Sequence, residues 1–327
     1  MTIDFSSDTY RHADLSALKA HLTERIDMIE QYPEAQPTEL EGIIADKLGI
    51  APEGVLLTND SMEAVYMIAE LFRKSASVIP QPTTTEYAEA CRIHQHIISY
   101  ENTDSLTELP KDRIYWICNP NNPSGNVLKK GFVDYIVRRS PRYTFVVDQS
   151  YEAYTQEPLL VPREVQETPN LLLIHSISKT YGVPGIPLGY ITGNPNTIQL
   201  LRNRRCPMAF SNLALETGKY LIEQGQPAIT DLEAVLTESE RLRNNLRAIE
   251  GVRVYETKTS FMLCEISEKT TTDLQQFLAE NYDMLIHNCS GYFGLSNYFF
   301  RIATQQPEEN DTLVAAIREF LETKSEK

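Results

Sequence analysis

The sequence predicts an α/β fold: a large domain whose mainly parallel sheet is sandwiched by helices, followed by a smaller α+β C-terminal domain. Three observations carry this. The chain has 327 residues, 42% of them hydrophobic and 23% charged, enough for about two domains with substantial cores. Up to about Asn212, short and almost wholly apolar runs alternate with helical patterns, as expected of strands covered on both faces. Beyond Asn212 the pattern changes to long polar helices and short, separated strands.

In chain order, Leu15, Leu18, Leu22 and Ile26 recur at helical spacing and predict an amphipathic helix running down to the Tyr32-Pro33 break. Thr38 with Glu41 reads as a capping box ahead of Leu40, Ile43, Ile44 and Leu48, and Gly49 stops that helix. The predicted strands are Val55 to Leu57, Ser77 to Ile79, Ile97-Ile98, Ile114 to Ile117, Phe145 to Val147 and Leu171 to Ile174. A polar helix from about Thr230 to Ile249 follows, then strands at Val252 to Tyr255 and Ser260 to Ile266, and a helix near Asp273 to Glu280. The last strand, Phe299 to Ile302, precedes a helix opened by Pro307-Glu308-Glu309, acids that suit the positive end of the helix dipole. These patterns divide the chain into an N-terminal arm (1–38), a large domain (39–212) and a small α+β domain (213–327).

Composition excludes several kinds of partner. Thirty Lys and Arg against 45 Asp and Glu give a formal charge of −15 without a compensating basic run, so nucleic acid and anionic membranes are poor partners. The five cysteines lack Cys-x-x-Cys spacing, and with the six histidines they form no metal-ligand pattern, so reduced thiols and no catalytic metal are expected. No signal-peptide pattern opens the sequence and no apolar run approaches the ~18 residues of a membrane span, so a soluble, cytoplasmic protein is expected. A nucleotide-binding dehydrogenase lacks support, because no Gly-x-Gly-x-x-Gly follows an early strand.

In open α/β sheets ligands lie at the carboxyl ends of the strands, and three unusual clusters fall there. Asn119-Pro-Asn-Asn-Pro-Ser-Gly125 follows the Trp116 strand, Asp148-Gln-Ser-Tyr151 the Phe145 strand, and His175-Ser-Ile-Ser-Lys179 the Leu171 strand. Singly, each reads as a turn, a capping acid or a surface lysine. Together they supply an amine able to form a Schiff base with a carbonyl cofactor, an acid able to keep a pyridine nitrogen protonated, and an amide able to bond a phenolate oxygen.

Those are the needs of pyridoxal 5′-phosphate, and the set resembles the fold-type I pyridoxal-phosphate enzymes. The resemblance is closest to histidinol-phosphate aminotransferases and the related threonine-phosphate decarboxylases. It extends from Tyr32-Pro-Glu-Ala-Gln-Pro37 through Thr58-Asn-Asp-Ser-Met-Glu63 to Phe300-Arg-Ile-Ala-Thr304. It implies Lys179 as Schiff-base lysine and proton carrier, Asp148 as partner of the pyridinium nitrogen, and Asn122 with Tyr151 as the pair on the 3′-oxygen. Tyr87 would stack on the ring. Backbone N–H groups at Ser61 and Met62, with the Ser176 and Ser178 hydroxyls, would take the phosphate. Arg301 would grip the substrate α-carboxylate, for which a guanidinium is suited. Tyr32 would reach the neighbouring subunit's site, which implies a homodimer.

The sequence departs from the family pattern in two places that bear on binding. The arginine eight residues beyond the lysine, which holds the cofactor phosphate, is replaced by Pro187, and an arginine near the substrate is replaced by His287. Weaker cofactor retention and a less secure phosphorylated substrate are therefore expected. Arg202, Arg204 and Arg205 read as a solvated helix face, with a positive patch near the site as the alternative. Gln149 and Ser150 replace the commoner residues after the catalytic Asp, without a consequence that the sequence alone supplies. The implied function is an aminotransferase moving an amino group between an amino acid, or an amino-phosphate such as histidinol phosphate, and a 2-oxo acid. The alternative is a threonine-phosphate decarboxylase. A non-catalytic binding protein on the same fold is disfavoured by the intact Lys179, Asp148 and Asn122.

Overall fold

The computed structural model describes residues 2–102 and 113–322. The chain opens with β1 (Ile3–Asp4), α1 (Ser16–Glu24), a 3-10 turn at Ile26–Glu30 and α2 (Thr38–Leu48). It continues through β2 (Val55–Thr58), α3 (Asp60–Leu71), β3 (Ala76–Gln81), α4 (Glu86–Ile93), β4 (Ile97–Asn102), β5 (Arg113–Cys118) and α5 (Lys130–Arg139). Next come β6 (Thr144–Asp148), α6 (Pro162–Gln166), β7 (Leu171–Ser176), α7 (Ile177–Tyr181), β8 (Gly189–Gly193), α8 (Pro195–Arg202) and α9 (Asn212–Gln224). The C-terminal part holds α10 (Leu232–Arg247), β9 (Val252–Val254), β10 (Phe261–Ile266), α11 (Thr271–Tyr282), β11 (Met284–Leu285), β12 (His287–Asn288), β13 (Phe299–Ala303) and α12 (Pro307–Glu322).

The large sheet has the order β2-β8-β7-β6-β5-β3-β4, and β8 alone runs antiparallel to its neighbours. Its strands are apolar on both faces because both are covered. Leu56, Ile114, Trp116, Val146 and Leu172 pack with Ala64, Ile68 and Ile198 of the helices on one side. The alternating residues Val55 and Leu57 pack with Leu40, Ile44 and Leu215, while Tyr115, Ile117, Phe145 and Val147 pack with Val133 and Ile136. This is the two-residue strand period expressed in a sandwich. Truncating one such fully buried Leu or Ile to Ala costs about 2–5 kcal/mol.

The smaller sheet, β12-β13-β10-β9, is antiparallel and is packed through Met262, Cys264, Phe300 and Ile302 with Leu242, Leu274, Leu313 and Ile317 of α10, α11 and α12. The N-terminal segment is woven into this unit. β1 pairs in parallel with β11, the Phe5 side chain is fully buried in the small core, and the Phe5 carbonyl accepts the Ala303 N–H at 2.9 Å. From there the chain turns toward the large domain, which carries Asp8 between the two units.

Each predicted strand segment is a strand. Four other details differ from expectation. The first helix stops at Glu24, because the Arg25 N–H turns back to Leu22 and the chain tightens into the 3-10 turn, which leaves Ile26 and Ile29 exposed. The expected 212/213 boundary assigns α9 to the small domain, yet Leu215 and Leu221 pack with Leu40 and Ile44 of α2. The Thr38–Glu41 capping box does not form: Pro37 is the N-cap and carries no side-chain cap bond. Glu41 instead points inward, accepting the Leu57 N–H at 2.9 Å, Arg205 Nη1 at 2.6 Å and an Arg202 Nη1 bond. Two guanidiniums and a strand N–H offer a buried carboxylate more than the start of its own helix can. Arg202 and Arg205 are thus paired with a buried carboxylate and form no solvated face.

Candidate active site

The carboxyl ends of β5, β6 and β7 lie in register, with Cys118 opposite Asp148 and Asp148 opposite Ile174. Asp148 is buried and held at both oxygens. Oδ1 accepts the Ser150 N–H at 2.9 Å together with the Ser150 hydroxyl, and Oδ2 accepts the Tyr87 hydroxyl at 2.8 Å. Burial raises its pKa, with the Ser150 and Tyr87 bonds and the Lys179 charge opposing. Ser150 therefore has a role that sequence reading did not find: it fixes the carboxylate. Gln149 donates to the Leu160 carbonyl at 3.0 Å and anchors the following loop.

The loop after β5 is braced on both sides. Asn119 accepts the Leu128 N–H at 2.8 Å, and Asn121 donates to the Pro82 carbonyl at 3.0 Å. Gly125 sits at φ 70, where a Cβ would lie 2.1 Å from Thr257 Oγ1 and 2.7 Å from the Phe261 carbonyl, so only glycine lets the loop press against the small domain. This holds Asn122 in the cleft. Its Nδ2 donates to the Tyr151 hydroxyl oxygen at 3.2 Å and its Oδ1 accepts Arg301 Nη1 at 2.6 Å.

Lys179 is presented by α7, a single turn begun by Ser176, whose Oγ accepts the Lys179 N–H at 3.2 Å. Its Nζ lies 5.4 Å from the centre of the Tyr151 ring and 3.9 Å from Asp60 Oδ2. Burial lowers the Lys179 pKa, but Asp8, Asp60 and Asp148 outweigh it, and the net direction is upward. Together with Ser61, Met62, Tyr87, Asn122, Asp148 and Tyr151 it lines one cleft.

Not every expected residue joins that lining. Ser176 stands at the base, its hydroxyl donating to Asp60 Oδ1 at 2.6 Å. The Ser178 hydroxyl is taken up by the backbone of the loop beyond α7, at 3.0 Å from the Ile186 carbonyl, with the Leu188 N–H donating to it at 2.7 Å. Tyr87 does line the cleft, but its ring is buried and stacked on Trp116, with ring centres 5.7 Å apart. Tyr32 is 91% exposed and takes no part in the cleft of its own chain. His287 is half-buried beside Arg301 on the neighbouring strand; burial and then the Arg301 charge lower its pKa, so it is neutral at pH 7.

Sequence reading missed Asp8. Its carboxylate accepts the Tyr151 hydroxyl proton and lies 3.7 Å from Arg301 Nη1, while Arg301 Nη2 donates to the Ser6 carbonyl at 2.7 Å. Nothing local marks it, since it lies 143 residues from Tyr151. Burial raises the Asp8 pKa, but Lys179, Arg301 and the Tyr151 bond bring it below 3.8. A depressed carboxyl pKa adds stability above the unfolded value of 3.8, lost as pH falls through the lower folded value. Asp8→Asn is accordingly expected to cost about 1–3 kcal/mol at pH 7, the difference narrowing below pH 3.8. Urea denaturation at both pH values checks this, and equal losses at both would contradict an ionised Asp8.

The sequence of residues 1–317 matches the family model described as aminotransferase class I and II. The chain belongs to that family. The crystal structure of L-threonine-O-3-phosphate decarboxylase from Porphyromonas gingivalis superposes with a TM-score of 0.94 at 30% identity, covering 98% of this chain and 100% of that one. A histidinol-phosphate aminotransferase from Desulfitobacterium hafniense is 25% identical over 309 residues, 89% of this chain and 84% of its own. The fold is shared with the histidinol-phosphate aminotransferase from Sinorhizobium meliloti solved with pyridoxal-5′-phosphate, at a TM-score of 0.85 and 16% identity, covering 98% and 91% of the two chains.

Pyridoxal 5′-phosphate is the cofactor of this aminotransferase family, and the cleft fits its ring end. A buried, doubly held carboxylate, an amide paired with a phenol, and a lysine amine converge on one cleft. Among the described residues no group of three His, Cys, Asp or Glu is placed to hold a metal ion, and no helix is long and apolar enough to cross a membrane.

Proposed function

We propose that the chain is a pyridoxal-phosphate-dependent aminotransferase that takes an amino group from an α-amino acid and gives it to a 2-oxo acid. The observation that carries this is the chain of contacts from Arg301 through Asn122 to Tyr151, next to Lys179 and Asp148. Bound pyridoxal phosphate supplies an electron sink for the charge left when a bond to the amino-acid Cα breaks. Lys179 would hold the cofactor and move the proton at Cα. Asp148, fixed by Ser150 and Tyr87, would keep the pyridine nitrogen protonated, while Asn122 and Tyr151 would meet the 3′-oxygen. The start of α3 at Ser61 and Met62, and Ser176, would face the phosphate. Ser178 would act there only by shaping the loop.

Arg301 would bind the substrate carboxylate. The 2.6 Å bond to Asn122 ties the guanidinium to the edge of the cleft that the amide serves. Transamination requires that a carboxylate held at that edge keep its own bond to Cα out of the orientation needed for cleavage, so that the Cα–H bond is the one broken. His287, neutral at pH 7, offers no second charge for a phosphorylated side chain, so the favoured donor is an unphosphorylated α-amino acid. Arg301→Ala is expected to raise KM for the amino acid about ten- to hundredfold, the loss of one strong charge-assisted contact, with a smaller change in kcat. An unchanged KM would remove Arg301 from this role.

One observation favours a second reading, a decarboxylase of the threonine-phosphate type: the 30% identity to the Porphyromonas gingivalis enzyme over both whole chains. Incubation with amino acids and 2-oxo acids in pairs, and separately with threonine phosphate, distinguishes the two. The aminotransferase reading expects amino exchange without carbon dioxide, and carbon dioxide as the main product would replace it by the decarboxylase. A cytoplasmic homodimer belongs to the proposal. Its support is Tyr32, 91% exposed beside the exposed Ile29, available to a neighbouring subunit.

A further inference from the structure

At the end of the cleft where the family holds the cofactor phosphate, the chain carries an anion of its own. Asp60 begins α3 in the left-handed region at φ 62, which aspartate tolerates better than most residues, and its carbonyl accepts the Thr58 hydroxyl at 2.8 Å. This turn sends the carboxylate across the end of β7. Oδ1 takes the Ser176 hydroxyl proton at 2.6 Å, and Oδ2 stands 3.9 Å from Lys179 Nζ. The backbone behind it is hemmed in: a Cβ on Gly189 would lie 2.8 Å from the Asp60 carbonyl carbon and 2.9 Å from the Ser61 nitrogen.

Beyond Lys179, neither Ser178 nor the residue at 187 offsets the charge. Ser178 spends its hydroxyl on the Ile186 and Leu188 backbone, and Pro187 has neither an N–H nor a cation to offer. The Ser176 hydroxyl has one proton to give, and Asp60 holds it.

Resting on the cofactor reading above, we infer that Asp60 is an internal competitor of the cofactor phosphate that sets how tightly the cofactor is held. Carboxylate and phosphate contend for the Ser176 hydroxyl and for the positive start of α3, with no guanidinium between them. The competition acts on the phosphate alone. It reduces the advantage of pyridoxal phosphate over unphosphorylated pyridoxal and makes the cofactor exchangeable.

The test uses the whole chain stripped of cofactor and titrated with pyridoxal 5′-phosphate and, separately, with pyridoxal, followed by visible absorption. Asp60→Asn keeps the shape and the tolerance for the left-handed turn, while Asp60→Gly removes the side chain and suits the same backbone; thermal melting checks that each is folded. Each is expected to tighten pyridoxal 5′-phosphate about ten- to hundredfold, the value of one charge-assisted contact, and to leave pyridoxal within about twofold. Unchanged or weaker phosphate-form binding in both folded variants overturns the inference. So does an equal gain for both ligands, which would locate the effect at the Lys179 amine. If neither ligand binds the parent chain or the variants, the cofactor reading fails and this inference with it.

Discussion

Replacing Lys179 by alanine is expected to lower turnover by about 10⁴-fold or more while leaving the fold intact. The same amine is asked to hold the cofactor and to carry the Cα proton, and loss of a general acid–base group alone is worth about 10²–10⁴. Two neighbouring nitrogen groups cannot replace it. Arg301 cannot give up its proton, and His287 is on a strand of the small domain, bonded to Tyr292 at 3.2 Å. The fold should survive because Asp148 keeps Ser150 and Tyr87, and Asp8 keeps Tyr151 and Arg301. Circular dichroism matching the parent, no cofactor fixed to the chain on borohydride reduction, and no product in a coupled assay form the expected result. Sustained multiple turnover would end the assignment of Lys179.

Glu41→Ala should produce the largest loss of stability, about 3–5 kcal/mol, although the residue is far in function from the cleft. The substitution leaves the buried Arg205 guanidinium without its carboxylate, leaves Arg202 only the Val55 carbonyl, and strips the Leu57 N–H of its acceptor. Arg205 would keep only Gln36 and the Leu57 carbonyl, which are neutral. The surface pair Glu39–Lys219 is the control. Glu39 is largely exposed, and its removal should cost less than about 1 kcal/mol. Equilibrium urea denaturation separates the two, and comparable losses would show that Glu41 carries no buried charge network.

What the sequence disclosed follows from how local each signal is. The strands were legible because a sheet covered on both faces leaves runs such as Leu171 to Ile174 with no polar position. That Lys179, Asp148 and Asn122 line one cleft was legible because their clusters come after such runs, where an open α/β sheet puts its ligands. Glu41 was misread because its spacing from Thr38 satisfies a local rule, while the two arginines that claim it lie more than 160 residues away. Arg202 and Arg205 were misread for the complementary reason, since charge at helical spacing looks solvated until its partner is known, whereas Arg204 is exposed as expected. Asp8 and Asp60 escaped for two different reasons. Asp8 reaches Tyr151 only because β1 is stitched to β11 and the chain then turns into the cleft. Asp60 acts through a left-handed turn that a non-glycine residue does not announce. The unusual Ser150 was visible as a departure, but its hold on Asp148 depends on how the chain turns after β6.

The central claim is that this cleft breaks the Cα–H bond of an α-amino acid and leaves its carboxylate in place. A single turnover of the cofactor-loaded protein with an α-amino acid deuterated at Cα, in the absence of any 2-oxo acid, tests it most directly. The account predicts one equivalent of 2-oxo acid per active subunit, deuterium lost from Cα to Lys179 and then to solvent, and no carbon dioxide. Carbon dioxide in stoichiometric amount, with the Cα deuterium retained in the amine product, would contradict it.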